Sequence, residues 1–481
     1  MTTSTVNELR TRLDAHDQGH LLAFHDQLDA AAAEALLRQI NALDLEQVDS
    51  LIEQFVRNEP EQVLPTDLAP APYYAYGGRK AGSRGRDFDA TACRDAGETL
   101  LRGGGVAAFT VAGGQGTRLG WNGPKGTFPA TVVTGKPLFR CFAEQILAAE
   151  QRYGVVIPWY IMTSPLNDAA TRAYFLDNNC FGLRRNDIFM FPQGVMPSFD
   201  VATGRLLLAE KHAIAVNPDG HGGSLRALEA SGALEDMRAR GIEHISYFQV
   251  DNPLVKVIDP LFIGLHVSAD DSSAEMSSKM VAKAEPGEKV GVFATSSGRT
   301  MVVEYSDLPA ELAEARTDDG GLAYEAGSIA IHLIAVQLVE QLTESGRLAL
   351  PFHRALKKVP FIDPATGERV DPSEPNAVKL EQFVFDALPL ARGSIVVETD
   401  RTEEFAPIKN RDGADSPATS HQLQSDRHGR WLESVGVAVA RRDDGHVAAA
   451  IEISPLTALE AADLRSHDLP ASIGAGEDVV L

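Results

Sequence analysis

Cysteine is scarce in this chain, with three in 481 residues. Cys93, Cys141 and Cys180 are odd in number, far apart and form no Cys-x-x-Cys pair. That argues against a disulfide framework or a structural zinc site and favours a reducing, cytoplasmic setting. Basic residues are also few: 44 Lys and Arg stand against 67 Asp and Glu, for a formal net charge of -23. Such a surface suits neither a general nucleic-acid binder nor an anionic membrane, because phosphate attraction needs clustered positive charge. Any phosphate site must therefore gather its few basic residues into one place. Long apolar runs are missing as well. The most apolar stretch, 329–342, contains His332, Gln337 and Glu340 and is too short and too polar to span a bilayer. Residues 1–10 lack the basic start and apolar run of a signal peptide. There is no internal repeat and no low-complexity tract.

Enough remains for a sizeable core. Hydrophobic residues make up 44% and charged residues 23%, the balance of an ordinary globular chain, and the length suggests two or three domains or one large domain with extensions. Residues 1–60 carry apolar side chains at helical spacing, among them Leu21, Leu28, Leu36, Ile40, Leu51 and Phe55. Pro60, Pro65, Pro70 and Pro72 break the pattern, and 77–87 reads as a Gly-, Arg- and Ser-rich loop. Short apolar runs follow at 106–112, 155–162, 188–191, 245–250 and 290–294. Helical patterns lie between them, as at 139–151 and 224–240. Alternating strands and helices predict an α/β domain with a mostly parallel, doubly wound sheet. Strand-like runs at 276–283 and 301–305 lack an intervening helix and make that sheet mixed. Near the end, 435–441 and 446–453 read as a hairpin turning at Asp443-Asp444-Gly445, followed by a short helix over 456–465. The expected division is a helical N-terminal extension (1–95), a catalytic domain (96–411) and a small C-terminal α+β domain (412–481).

The strongest local signal is Val111-Ala112-Gly113-Gly114-Gln115-Gly116-Thr117-Arg118-Leu119-Gly120, with Pro124-Lys125-Gly126 just after. A buried strand runs into side-chain-free residues that let backbone N–H groups approach phosphate oxygens. Arg118 and Lys125 supply positive charge for a triphosphate. The glycine spacing is one residue too long for the dinucleotide fingerprint, which argues against an NAD-dependent oxidoreductase. The only Gly-Lys is followed by Pro137, which argues against a P-loop. No Ser-His-Asp or Cys-His arrangement stands out.

The Gly-Gly-x-Gly-Thr-Arg-Leu-Gly run with its Pro-Lys resembles the nucleotide signature of sugar-nucleotide pyrophosphorylases. More closely, the chain resembles the eukaryotic-type UDP-sugar pyrophosphorylases, and within them the UDP-N-acetylhexosamine pyrophosphorylases. The likeness runs from Val111 to Thr419. It includes Phe191-Pro-Gln193-Gly, Pro218-Asp219-Gly220-His221-Gly-Gly, Val250-Asp251-Asn252-Pro, Val303-Glu304-Tyr305, Asn376-Ala-Val-Lys379 and Glu404-Phe405-Ala-Pro-Ile-Lys409-Asn410.

The resemblance implies a nucleotide-diphospho-sugar-transferase fold and a uridylyl transfer. A sugar 1-phosphate oxygen attacks the α-phosphorus of UTP, and pyrophosphate leaves. The nucleophile is already an anion, so alignment and charge neutralisation should dominate catalysis. Arg118, Lys125 and Lys409 are implied as catalytic cations. Ala112, Gly113, Gly114, Gly116, Thr117, Gln193, Gly220, Asp251 and Lys379 are implied to bind UTP, with Asp251 also holding Mg²⁺ at a strand's carboxyl end. By pattern alone Lys379 is a helix-surface lysine preceding an amphipathic segment, 380–388. His221, Glu304, Tyr305 and Ser328 fall at the sugar end. Two of these depart from the N-acetylhexosamine enzymes, which usually carry Asn at the positions of His221 and Ser328. GlcNAc 1-phosphate is therefore the first expected acceptor and glucose 1-phosphate the second. A sugar-nucleotide sensor without activity is a further alternative, opposed by the retained Arg118, Lys125, Asp251 and Lys409. No oligomeric state is implied.

Overall fold

In the computed structural model, residues 3–59, 64–75, 85–344, 346 and 348–481 are described. The chain divides into two compact units. One comprises Met1–Leu64, Gly194–Gly223 and Leu350–Val384; the other comprises Pro65–Gln193, Ser224–Ala349 and Phe385–Leu481.

The larger unit is built on a twelve-stranded mixed sheet. In chain order its strands are β1 (Ala69–Pro70), β2 (Tyr73–Tyr74), β3 (Gly85–Arg86), β4 (Val106–Val111), β5 (Trp159–Thr163) and β6 (Ile188–Pro192). These are followed by β7 (His244–Gln249), β8 (Met276–Ala282), β9 (Val292–Ser296), β10 (Arg299–Val303), β11 (Ala326–Ala335) and β12 (Ile395–Glu398). The spatial order is β3-β2-β12-β8-β11-β7-β4-β5-β6, with β9 beside β11 and paired also to β10 and β1. Strands β7, β4, β5 and β6 run parallel, and β11 is antiparallel to both β7 and β8. The expected mixed sheet is thus present.

Its parallel strands read as nearly unbroken apolar runs because helices cover such a sheet on both faces. All five residues of Trp159–Thr163 are buried. Phe109 stacks on Phe191 at 5.9 Å and meets Tyr247 edge-on at 5.5 Å. The helix Leu138–Tyr153 buries ten of its side chains and stops at Gly154, whose φ of 67° is the left-handed geometry of a helix C-cap. The helical pattern over 224–240 resolves into Gly223–Ala230 and Ala233–Ala239, parted by Gly232 at φ 80°. The strand read at 155–162 begins only at Trp159, after Pro158.

The hairpin predicted over 435–453 is formed next to its turn, where Arg441 pairs antiparallel with Val447 and Ala448 N–H donates to Ala440 O at 2.9 Å, but not along its full length. The turn is there, with Arg442 N–H donating to His446 O at 2.8 Å. The flanking strands, however, find later partners: Ala438–Val439 lies parallel to Ser472–Ile473, and Ala450–Glu452 parallel to Asp478–Val480. Alternation shows that a strand has one buried side but not which strand it joins. The helix expected over 456–465 is a 3₁₀ turn, Ala461–Ser466, capped by Glu460 and Asp463.

The smaller unit carries the helices Thr3–Ala15, Ala30–Asn41 and Leu45–Leu51, the latter two N-capped by Asp29 and Asp44. Leu21, Leu22 and the residues around Phe24 fall in 3₁₀ turns rather than an α-helix. These helices share one core with an antiparallel sheet in which Ala377–Glu381 lies between His353–Lys357 and Phe199–Asp200. Lys379 therefore stands on a strand, opposite Ala355, and not on the helix surface that the pattern indicated. Of the loop read at 77–87, residues 77–84 lie outside the described residues, as does Pro60; Gly85 and Arg86 form β3.

Candidate active site

In the larger unit the glycine loop leaves the carboxyl end of β4. Ala112 is still tied to the sheet, its N–H donating to Met162 O at 2.8 Å. The loop then folds back on itself: Gly116 N–H donates to Gly123 O at 3.0 Å, and Lys125 N–H to Gly114 O at 3.1 Å. Those two N–H groups are used inside the loop, whereas those of Gly113 and Gly114 are engaged by no described residue. The Asn167 side chain pins the turn from below, donating to Ala112 O at 3.0 Å and Gly114 O at 3.2 Å. Sequence reasoning passed over Asn167, because nothing local in Ser-Pro-Leu-Asn marks it as a partner of a loop fifty residues earlier.

Gln193 follows β6 and is brought beside this loop. Its N–H donates to Thr163 O at 2.9 Å, and a Cβ on Gly113 would fall 2.1 Å from its Oε1. Any larger residue at 113 would have to push the end of the Gln193 side chain aside. A buried amide there can offer one donor and one acceptor to a base edge.

Asp251 lies just past the carboxyl end of β7, and its carboxylate is 3.6 Å from the Lys125 ammonium, both side chains being largely enclosed. The Asp251 carbonyl accepts from Ile408 N–H at 2.8 Å, which brings the Lys409 loop alongside. Lys409 itself sits 3.7 Å from the Asp415 carboxylate and 5.7 Å over the Phe405 ring. Arg118 is exposed on the 3₁₀ turn Thr117–Leu119 and makes no ion pair among the described residues. Of the three cations expected to act together, Lys125 and Lys409 are thus linked through Asp251, and Arg118 is not.

Glu304 and Ser328 meet at Gly291. Ser328 N–H donates to Gly291 O at 2.8 Å, and a Cβ on that glycine would lie 3.2 Å from Glu304 Oε1. Tyr305, next to Glu304, is half-exposed.

Gly220, His221 and Lys379 belong to the smaller unit. Gly220 has φ 85°, and a Cβ there would fall 2.3 Å from Gln382 O, so both backbone conformation and space demand glycine. His221 stacks on Phe383 at 5.1 Å, and Phe383 stacks on His353 at 4.3 Å. Val384 N–H donates to His221 Nδ1 at 3.1 Å, which leaves the ring proton on Nε2. Burial, reinforced by His353, pushes the His221 pKa down to about 4, so the ring is a neutral Nε2–H donor at pH 7. Burial also lowers the Lys379 pKa, against the opposing charge of Glu381. Asp219, which sequence reasoning left in a motif without a role, is buried and packs against Gly194 and Gly223. A Cβ on either glycine would come within 2.2 Å of its carboxylate.

Among the described residues no three His, Cys, Asp or Glu side chains gather as a metal cluster. A single enclosed carboxylate beside the glycine loop nevertheless fits a Mg²⁺ shared with a nucleotide, since such an ion takes one or two carboxylates and fills its shell with phosphate oxygens and water. Among the described residues no helix is long and apolar enough to cross a membrane.

The model of one family, described as UTP--glucose-1-phosphate uridylyltransferase, matches residues 93–430. A UDP-N-acetylhexosamine pyrophosphorylase-like protein 1 from Xenopus tropicalis is 36% identical over 485 residues, covering 95% of this chain and 93% of the relative. The UDP-N-acetylglucosamine pyrophosphorylase of Saccharomyces cerevisiae is 40% identical over 344 residues, 70% of this chain and 71% of its own. Among solved structures, the uridine diphosphate N-acetylglucosamine pyrophosphorylase of Trypanosoma brucei superposes with a TM-score of 0.80 at 26% identity, covering 100% of this chain and 99% of that one.

Proposed function

The chain belongs to the UTP--glucose-1-phosphate uridylyltransferase family, and we propose that it transfers uridylyl from UTP to a sugar 1-phosphate, with GlcNAc 1-phosphate preferred. The observation that carries this reading is the enclosed Lys125–Asp251 pair at the mouth of a glycine loop, with the Lys409 loop bonded to the same aspartate.

In the reaction an oxygen of the sugar 1-phosphate attacks the α-phosphorus of UTP. A new P–O bond forms as the bond to the β-phosphate bridging oxygen breaks, and pyrophosphate leaves with that oxygen and its electron pair. Lys125 neutralises charge on the triphosphate as it shifts toward the leaving group, and Lys409 does the same from the facing loop. The N–H groups of Gly113 and Gly114 are placed to receive phosphate oxygens, and Gln193 to read the base. Asp251 would hold Mg²⁺, which, when bound, supplies further neutralisation of phosphate charge. Arg118, exposed on its turn, reaches the nucleotide from the solvent side. Glu304, Tyr305 and Ser328 are the groups for the sugar, and the resemblance assigns His221 to it as well. Three buried, unpaired cysteines suit a reducing compartment, the cytoplasm.

The test is pyrophosphate release by the purified protein with UTP, Mg²⁺ and the 1-phosphates of GlcNAc, GalNAc, glucose and galactose. Turnover confined to the N-acetylated sugars is the expected result. Preference for glucose 1-phosphate would show that His221 and Ser328 have moved the specificity. UTP binding without turnover on any sugar would overturn the transferase reading.

A further inference from the structure

We propose that Lys279 and Glu404, which touch no substrate, form a positioning pair that fixes the spacing between the Asp251 carboxylate and the Lys409 ammonium; the inference rests on the uridylyl-transfer reading above. Lys279 stands in the middle of β8 with 2% of its side chain exposed, and Glu404 is fully buried. The ammonium donates to both Glu404 oxygens at 2.7 Å and to Asp259 Oδ2 at 2.7 Å. Asp259 in turn caps the helix Pro260–Ser268 through the N–H groups of Leu261 and Phe262. Lys279 is thereby fixed to a strand and, through Asp259, to a helix, and it holds Glu404 against both.

From Glu404 the connection runs directly to the site. The Glu404 carboxylate accepts from Lys256 N–H at 3.1 Å and from the Thr399 hydroxyl at 2.7 Å. Its backbone carbonyl accepts from Asn252 Nδ2 at 2.6 Å, and Asn252 Oδ1 accepts from Ala406 N–H at 3.1 Å. Two residues on, Ile408 N–H donates to Asp251 O at 2.8 Å. The segment 404–408 is therefore zipped along 251–256, and the residues at the end of the zip are Asp251 and Lys409.

Stability alone is a poor reason for this arrangement. A buried ion pair commonly does no better than well-packed apolar residues of the same volume, because desolvation offsets the attraction. What a charged, multiply bonded pair provides and a greasy contact does not is a single geometry, since each of its bonds has a direction and a length. Two loops that must bring opposite charges to the same phosphates need such a fixed geometry.

The experiment is a double-mutant cycle of Glu404→Gln with Lys409→Met in the full chain, read on kcat, on the KM of each substrate and on the UTP dissociation constant, with the folded fraction checked by thermal melting. Glu404→Gln keeps the shape and removes the charge that orients Lys279. A positioning role predicts a fall in kcat of about tenfold or more with the sugar 1-phosphate KM unchanged. It also predicts that the same change made on top of Lys409→Met costs less than threefold, because the lysine it positions is gone. Additive losses, or a loss that follows only the folded fraction, overturn the proposal. Should Glu404→Gln not fold, Thr399→Val removes one bond to Glu404 and leaves every charge in place; the same non-additivity with Lys409→Met is expected at smaller amplitude, and its absence counts equally against the pair. A wild-type protein that binds UTP without turning over would defeat the transferase reading, and the cycle on UTP affinity would still decide this one. A wild type that neither turns over nor binds UTP defeats both.

Discussion

The Lys125 ammonium and the Asp251 carboxylate stand 3.6 Å apart at the carboxyl ends of β4 and β7. The pair is loose enough to open to a ligand and enclosed enough to act on one. Lys125→Met is expected to lower kcat by about 10²–10³ through lost neutralisation of phosphate charge. The folded protein should also lose stability, because the largely enclosed Asp251 carboxylate is left without its counter-charge. Steady-state kinetics beside a thermal melt checks both, and a variant with near-normal kcat would remove Lys125 from the chemistry.

Gly113 and Gly114 are neighbours with opposite expectations. A methyl at 113 meets the Gln193 amide at 2.1 Å, whereas a methyl at 114 has only Lys125 Cδ at 4.0 Å. Gly113→Ala should displace Gln193 and raise the KM for UTP at least about tenfold, the scale set by a lost base contact. Gly114→Ala should leave the melting temperature alone while weakening UTP binding, because in the free protein its Cβ meets nothing closer. Calorimetric titration with UTP separates the two, and normal affinity in Gly114→Ala would place the phosphates elsewhere.

The sugar end is open to a single change. Ser328 shares Gly291 with Glu304, so a longer side chain at 328 enters the space next to that carboxylate. Ser328→Asn should shift the kcat/KM ratio between GlcNAc 1-phosphate and glucose 1-phosphate toward the acetylated sugar by about tenfold. The KM for UTP should stay unchanged. Competition assays with both sugars present measure the ratio directly, and an unmoved ratio would take Ser328 out of the sugar contacts.

A pair of buried histidines makes stability depend on pH. His266 Nε2 and His244 Nδ1 are 3.1 Å apart, and His266 Nδ1 lies 2.7 Å from the Ser277 hydroxyl. Burial pushes His244 from its ordinary value of 6.5 down to about 4, and burial with the neighbouring His244 holds His266 well below its ordinary value too. Above pH 6.5 the folded and unfolded chains are both neutral at these rings. Between 6.5 and about 4 only the unfolded chain takes up the protons, so stability falls as pH falls through that window. His244 alone should cost about 1.6 kcal/mol between pH 6.5 and 5. Urea denaturation at the two pH values measures this, and His244→Gln should reduce the difference by about that amount.

How far the sequence could be read depended on whether a feature was local. The glycine loop was legible because its glycines, Arg118 and Lys125 fall within fifteen consecutive residues, and the mixed sheet because buried parallel strands are continuous apolar runs. The Lys125–Asp251 contact was not, since two strand ends meet only once the sheet order is known. Lys379 was misplaced because a five-residue alternation, Ala377–Glu381, was outvoted by the apolar spacing after it. The C-terminal hairpin was legible only near its turn, for a related reason: a two-residue strand such as Ala438–Val439 announces no partner, and its actual partner, Ser472–Ile473, lies beyond the next turn and a 3₁₀ helix.

The smaller unit is stitched from three separate stretches of chain, and its core joins Leu36 and Ile40 to Phe199 and Leu206 and to Val378 and Leu380. During synthesis the first helices leave the ribosome with their apolar faces bare. The strands that cover them arrive only after about 160 and about 340 further residues, roughly 8–70 s later at ordinary translation rates. Closing such long loops is slow. Nascent chains of this protein should therefore engage hydrophobic-surface chaperones early, and should release them only once Val378 and Leu380 have cleared the exit tunnel.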